Sequence, residues 1–327
     1  MADLPDIYFL PEWGEYYQEH DNGKIQKFEY KSKLGHVYYQ FIIRNDHNVL
    51  ESTKYYDLVT TYGFNGPIIL ECDINNKLKL IKDYDKEFNI YCLDNNIVTE
   101  WIRFSPWLKN HIDFESIYIN KYNNFTVFID LEVNDFFFEE FHPRARTSIR
   151  KSIQYGVKIE FDFIGETVGE FHRLYQFVDK KYHVSDYYIF DLEFLKKGFI
   201  SLSGKEFIIN AIYEDQIISS AIILNYGDYI HYHLAAHNPE FYYLNASSLM
   251  FYHLCLWGKT NNKKQFHLGG AFTEGLFDFK KQFTRNGFCD FYVGKKIRNE
   301  EVYNIIVNKK LQEGSIKDMS YFPLYRG

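Results

Sequence analysis

Paired cysteines are missing from this chain. Its four, Cys72, Cys92, Cys255 and Cys289, stand far apart and show none of the short spacings that zinc sites and redox motifs require. Free buried thiols are expected from them, and neither a metal centre nor a thiol catalyst. Positive charge is also short. Against 44 Asp and Glu there are 37 Lys and Arg, a formal net charge of −7 with both signs scattered. Sequence-independent binding to nucleic acid, DNA included, needs a basic surface that displaces counterions, so that class is disfavoured, although local basic patches stay open. No apolar run reaches the roughly 18 to 20 residues that span a bilayer. The opening Met-Ala-Asp-Leu-Pro-Asp lacks the basic and apolar regions of a secretory leader, and a cytoplasmic protein without a transmembrane segment is expected.

What is abundant is aromatic. Phe, Tyr and Trp make up 20% of the residues, which suits either a stacking surface for bases or sugars or the composition of an AT-rich genome, since Ile, Asn and Lys are abundant with them. The 327 residues are enough for one large domain or two ordinary ones, and two are expected.

Periodicity orders the second half. Val157 to Ile164 alternates as a strand, Val168 to Lys181 has apolar residues at helical spacing, and Leu192 to Gly198 reads as a shorter helix. Glu206 to Tyr213, Ile217 to Asn225 and Tyr229 to Ala236, separated by polar and Gly-containing turns, read as an antiparallel meander. A helix from Ala246 to Lys259, a strand from Gln265 to Leu268, a helix around Leu276 to Thr284 and a strand from Phe288 to Val293 follow. In the first half, strands are expected near Ile25 to Tyr30, Val37 to Arg44, Ile97 to Phe104 and Thr126 to Leu131. Helices are expected at Glu12 to His20 and Asp83 to Tyr91. On periodicity alone this is an α+β chain with a sheet domain.

The order β-α-α-β-β-β-α-β-α-β is similar to the GNAT acyltransferase fold, whose sheet splays open between its fourth and fifth strands. Four segments carry a closer likeness. Tyr56-Asp57-Leu58-Val59-Thr60-Thr61-Tyr62-Gly63-Phe64-Asn65-Gly66-Pro67 is similar to D-x-x-T-P-Y-G-Y-G-G-P, with Thr61 for Pro and Asn65 for Gly. Thr99-Glu100-Trp101-Ile102-Arg103-Phe104-Ser105-Pro106 is similar to E-F-I-R-F-H-P, with Ser105 for His. Ser148-Ile149-Arg150-Lys151-Ser152 ahead of Gly156-Val157 is similar to I-R-K-A-x-x-x-G-V. The stretch Phe266 to Phe283, reading F-H-L-G-G-A-F-T-E-G-L-F-D-F-K-K-Q-F, is similar to L-G-G…G-L-Y-x-F-K-x-G-F, with Gln282 where Gly is common. In this order the four resemble the FemABX family, bacterial transferases that add amino acids to peptidoglycan precursors, and its acyl-CoA-dependent relatives.

The resemblance implies two tandem GNAT-like domains, the first degenerate. Residues 1–143 are expected to form the first, with the tail 299–327 packing back on it, and 144–298 the donor-binding second. It implies an N-acyltransferase of cell-wall or polysaccharide biosynthesis, acting on an amine of a small-molecule or lipid-linked precursor such as a sugar nucleotide, with peripheral membrane association compatible with the latter. Acyl-CoA is favoured as co-substrate. The alternative is aminoacyl-tRNA and a peptidoglycan precursor, as in the family, and a second alternative is a binding module without chemistry. The usual GNAT phosphate loop, R/Q-x-x-G-x-G/A, is absent, which weakens the acyl-CoA reading.

Acyl transfer to an amine needs donors for a tetrahedral oxyanion and a path for the amine proton. Lys280 matches the family's F-K-x-x-F lysine and is the first catalytic candidate. Lys281, its neighbour, cannot share its helix face, so one should point inward and one outward. His233, in the cluster His231, His233 and His237, is the candidate base; alternation puts His231 and His233 on one strand face, and a packed core histidine is the competing reading. Asn245 reads as the N-cap of the helix that begins Ala246-Ser247, with first-turn N–H groups suited to a phosphate or to ordinary capping. Gly269, Gly270 and Phe279 complete the donor-binding set. Tyr62, Gly63, Arg44 and Arg103 are the acceptor-binding set, while the run Arg144 to Lys151 reads as a solvated helix face. A metal is not expected.

Overall fold

A computed structural model describes residues 4–182, 186–271 and 273–327. Two compact units result, the first formed by Tyr8–Asn124 with Asp290–Gly327, the second by Pro5–Ile7 with Phe125–Cys289. The divide therefore falls at 124/125 and 289/290, where the sequence reading set it at 143/144 and 298/299. The physical reason is one long strand. Its far half carries Val127 and Ile129, which are buried in the core of the second unit.

In the first unit, α1 (Pro11–Tyr17) precedes a hairpin of β1 (Gly23–Ser32) and β2 (Gly35–Arg44), paired from Gly23↔Arg44 to Ser32↔Gly35 across a two-residue turn. Then come β3 (Asn48–Leu50), β4 (Thr53–Val59), β5 (Ile68–Cys72), α2 (Lys77–Asp94), β6 (Ile97–Arg103), α3 (Asn110–Asp113) and the start of β7 (Ile119–Asp130). β4 lies between β2 and β6, antiparallel to the first and parallel to the second. Leu80, Ile81, Tyr84, Phe88 and Cys92 recur at intervals of one to four along α2 and are all buried, giving that helix an apolar stripe. The stripe packs on Val37, Tyr39 and Phe41 of β2, with Tyr84 and Phe88 stacked at 5.6 Å.

The second unit adds α4 (Phe136–Glu139), α5 (Pro143–Gln154), β8 (Lys158–Asp162), α6 (Val168–Tyr182) and α7 (Leu192–Ser201). After them come β9 (Glu206–Tyr213), β10 (Gln216–Tyr226), β11 (Tyr229–His237), α8 (Ala246–Thr260), β12 (Gln265–Gly270) and α9 (Glu274–Lys280). The sheet runs β7-β12-β11-β10-β9-β8. Under it lies α8, whose Leu249, Met250, Phe251, Leu254 and Cys255 are all at most 1% exposed, which is why its sequence shows little one-sided patterning. The chain returns to the first unit through β13 (Phe288–Ile297) and α10 (Glu300–Gln312). β13 is antiparallel to β6, and α10 seats Val302, Ile306 and Val307 against Val98.

From β8 to β13 the element order is the expected β-α-α-β-β-β-α-β-α-β. Its fourth and fifth strands, β11 and β12, are parallel and pair only over Tyr229–His231 and Gln265–His267. Beyond those three pairs each strand continues without the other. No helix among the described residues is long and apolar enough to cross a membrane.

Candidate active site

The end of the β11–β12 ladder opens a cavity of about 940 Å³ in the second unit. Its walls include the rest of β11, Ile218 and Ser219 of β10, the first turn of α8 and both ends of α9, with Tyr232, His233, His237, Ser247, Phe279 and Lys280 among them. The β10–β11 register slips between Ile222↔Leu234 and Ile223↔Tyr232, so His233 is an extra residue with no partner position, a β-bulge. A bulge turns two successive side chains toward the same side. Tyr232 and His233 accordingly both line the cavity, followed at normal alternation by Ala235 and His237.

This corrects the expected pairing of His231 with His233. Strict alternation would leave both on one face, but the bulge sends His231 to the opposite face. There its Nε2 lies 3.0 Å from the buried carboxylate of Asp6 and its ring stacks on His267 at 5.1 Å. Burial, assisted by the charge of His231, brings the His233 imidazole from an ordinary 6.5 down to about 3. His237, left unassigned by the sequence, shares a 2.5 Å hydrogen bond with Ser219 Oγ through Nδ1 and lies 3.4 Å from Ser247 Oγ. A strand-distant serine and a histidine meet here only because β10 and β11 pair Ser219 with His237, and nothing local in the sequence signals it.

Lys280 is the last residue of α9, a short helix whose first turn is capped by Thr273 Oγ accepting from Leu276 N–H. Phe279 and Phe283 on either side pack on Phe251 at 5.6 and 4.9 Å. Held between them, Lys280 is 7% exposed and donates through Nζ to Gly270 O at 2.6 Å. Burial lowers its ammonium from 10.5 to about 8, because a charged amine loses hydration there. Lys281 faces outward, paired with Asp278 at 2.6 Å. Gly269 has φ of +74°, and a Cβ on it would stand 3.9 Å from Lys280 Nζ, so this glycine is needed for its backbone conformation.

Asn245 stands at the N-cap position of α8, as expected, but not in the extended conformation usual there. Its φ of 56° and ψ of 32° are left-handed, and its side chain makes no capping bond; the amide donates instead to Tyr243 O at 2.9 Å. The preceding 3-10 turn, Pro239–Leu244, runs directly into α8, and a left-handed residue is the joint that turns one into the other. Asn tolerates that region better than other residues with a side chain. Asn245, Ala246 and Ser247 all border the cavity.

In the first unit, Tyr62 stacks on Tyr17 at 4.5 Å, and its N–H donates to Asp21 at 2.8 Å. Gly63 has φ of +88°, and a Cβ there would come within 2.3 Å of the Tyr8 ring. Arg103 holds the same loop from behind, donating to Thr61 O at 2.8 Å with its guanidinium over the Trp101 ring. Arg44 is the last residue of β2. Along the basic run, Arg146 donates to Phe141 O at 2.6 Å and Arg150 lies over Phe137. Among the described residues no group of three or more His, Cys, Asp or Glu is placed to hold a metal ion.

No protein-family model matches the chain, and no curated protein matches it. Solved structures do. FemX aligns over 92% of this chain and 94% of its own with a TM-score of 0.70 at 13% identity. L-PGS from Bacillus licheniformis aligns over 95% and 99% with a TM-score of 0.51 at 14% identity. A tandem GNAT protein from the clavulanic acid biosynthesis pathway aligns over 84% and 83% with a TM-score of 0.50 at 6% identity. At these identities the likeness is one of fold. The chain has the tandem GNAT-like fold.

Proposed function

We propose that this chain is a transferase that moves an acyl or aminoacyl group from its carrier to an amine of a cell-envelope or polysaccharide precursor, with the reacting carbonyl in the cavity of the second unit. Lys280 carries the reading. Its ammonium is buried, donates to a carbonyl oxygen, and has no carboxylate within ion-pair distance among the described residues. A buried cation is costly unless it is compensated. Negative charge that develops on a bound carbonyl oxygen would compensate it, and in the transition state more than in the ground state.

In this mechanism the amine lone pair attacks the carbonyl carbon and the π pair moves to oxygen, beside Lys280. A base takes the amine proton, and collapse of the intermediate expels the carrier, which leaves as a thiol or as a ribose hydroxyl after accepting a proton. His233, held neutral with a depressed pKa, is a poor proton acceptor, so its proposed role shifts to hydrogen bonding in the cavity. His237, oriented by Ser219, becomes the proposed base. Acyl-CoA remains the first donor, supported by a cavity large and apolar enough for an acyl chain. One observation favours aminoacyl-tRNA instead: the turn into α8 is built on Asn245 and not on a glycine-rich phosphate loop.

Thermal-shift measurements with acetyl-CoA and with charged tRNA separate the donors, since a ligand at 100 times its Kd adds about 2.7 kcal/mol of stability. The transfer itself is read by mass spectrometry of amino-sugar and muropeptide acceptors. No stabilisation by either donor, together with no added mass on any acceptor, would sink the reading, as would near-normal turnover in Lys280→Ala.

A further inference from the structure

The first unit holds a second, smaller pocket of about 250 Å³, lined by Arg44, Trp101, Lys121, Lys295 and the segment Asp318–Pro323, among others. It is built by register. Ile42 pairs with Val59, Val59 with Trp101, and Trp101 with Lys295. Directly paired residues share a sheet face, and so do residues two apart on one strand, so Arg44, Trp101 and Lys295 stand on one face of the β2-β4-β6-β13 sheet. Glu100 and Ile102, one residue either side of Trp101, face the other way.

Three cations meet in this pocket, and no carboxylate lies within ion-pair distance of any of them among the described residues. Two acids share the wall, and each already accepts hydrogen bonds. Asp57 is bound by Tyr325 Oη and Arg326 Nε, and Asp318 accepts from the N–H and hydroxyl of Ser320 at 2.8 and 2.7 Å. The Lys295 ammonium lies 5.3 Å from the centre of the Phe322 ring. Burial and the nearby charge of Lys121 both lower its pKa. Three like charges converging on one small concavity repel one another, and a multivalent anion is the ligand that reverses that repulsion.

We infer that this pocket is a phosphoryl-binding subsite of the first unit, in which Arg44, Lys121 and Lys295 hold a phosphate ester and Trp101 and Phe322 flank the small ring that carries it. The guanidinium takes two phosphoryl oxygens in a fork, and the ammonium groups act as point charges on the third. A carboxylate, with a single charge, would leave the cluster cationic. The volume is below that of ordinary drug-sized sites, which limits the attached group to about one sugar or one base. The subsite does not depend on the transferase reading, because Lys280 and the cavity of the second unit take no part in it.

Calorimetric titration of the full chain at low salt with inorganic phosphate, glucose 1-phosphate and ADP tests the inference and tells the sources apart. Saturable binding of at least one probe is expected. Its Kd should rise about tenfold or more in Lys295→Gln and in Arg44→Gln, as loss of a charge-assisted contact implies, and stay within about twofold in Lys280→Ala. Lys121→Gln, at an exposed position, is the variant safe from folding defects, and thermal melts check the other two. Absence of saturable binding by all three probes up to about 10 mM, in the millimolar range of weak specific binding, would overturn the inference. So would binding that the three pocket substitutions leave unchanged.

Discussion

Lys280 shows how one residue's chemistry is set by what surrounds it. The same side chain at position 281 is exposed and paired with Asp278. One residue earlier, two phenylalanines hold the amine in the interior, and burial brings it to about 8. If its charged form stabilises an oxyanion, turnover must fall as pH rises through about 8, since deprotonation removes the donor's charge. Lys280→Arg keeps a charge at every accessible pH and should move that decline upward, while Lys280→Met should lower kcat by about 100- to 1000-fold, as loss of one oxyanion donor does. A pH–rate profile of the three proteins is the measurement. Turnover that instead rises through pH 8 in the parent protein and not in Lys280→Arg would make Lys280 a base and overturn this role.

At the scale of elements, two joints carry much of the design. The first is the left-handed Asn245 ahead of α8. Glycine accepts that conformation freely and alanine does not, so Asn245→Gly should change stability by less than about 0.5 kcal/mol and Asn245→Ala should cost about 1 kcal/mol, read as a shift in urea midpoint. The second is the tie between β6, β13 and α2. Arg298, 4% exposed, bonds Glu100 at 2.7 Å and Asp85 at 2.7 Å, and Tyr118 donates to Glu100 at 2.8 Å. Arg298→Met leaves a buried carboxylate without its cation and should cost about 3 to 5 kcal/mol. The double replacement Arg298→Met, Glu100→Leu should cost less than that single one, because no lone charge remains; chemical denaturation of both variants decides it.

Most regular elements of the second unit were legible because their periods are clean: β9 occupies Glu206–Tyr213, and α8 begins at Ala246, as expected. The exceptions are informative. β3 and β5 passed unseen because they are three and five residues long, too short for alternation to show. β4, Thr53–Val59, runs into the Tyr56-Asp57-Leu58-Val59 motif, where the sequence shows a likeness and no strand. The bulge at His233 could not be read at all, since it is a mismatch between two strands' registers and has no signature in one strand alone. The candidate site depends on that mismatch, because without it His233 would point away from Tyr232. The Ser219–His237 pair was invisible for the same reason.

Taken over the whole molecule, Glu206 and Lys280 of the second unit are titratable groups whose burial works against its stability. Glu206, 6% exposed, has its carboxyl lifted by burial from 4.5 to about 8, and Lys280 has its ammonium lowered from 10.5 to about 8. Between pH 4.5 and 8 the folded state keeps a proton on Glu206 that the unfolded chain releases, so this group's contribution to stability falls as pH rises through that window. Between 8 and 10.5 the folded state has released the Lys280 proton that the unfolded chain still holds, so stability recovers as pH rises further. Neither window is offset by the other, and the two costs overlap most fully near pH 8. The variant Glu206→Gln, Lys280→Met should therefore gain most over the parent near pH 8, by a few kcal/mol, given about 1.36 kcal/mol for each tenfold change in proton affinity. The gain should shrink toward pH 4.5 as the Glu206 cost fades and toward pH 10.5 as the Lys280 cost fades. Urea unfolding of both proteins across that range tests this, and a gain independent of pH would mean that the substitutions act through packing and not through buried charge.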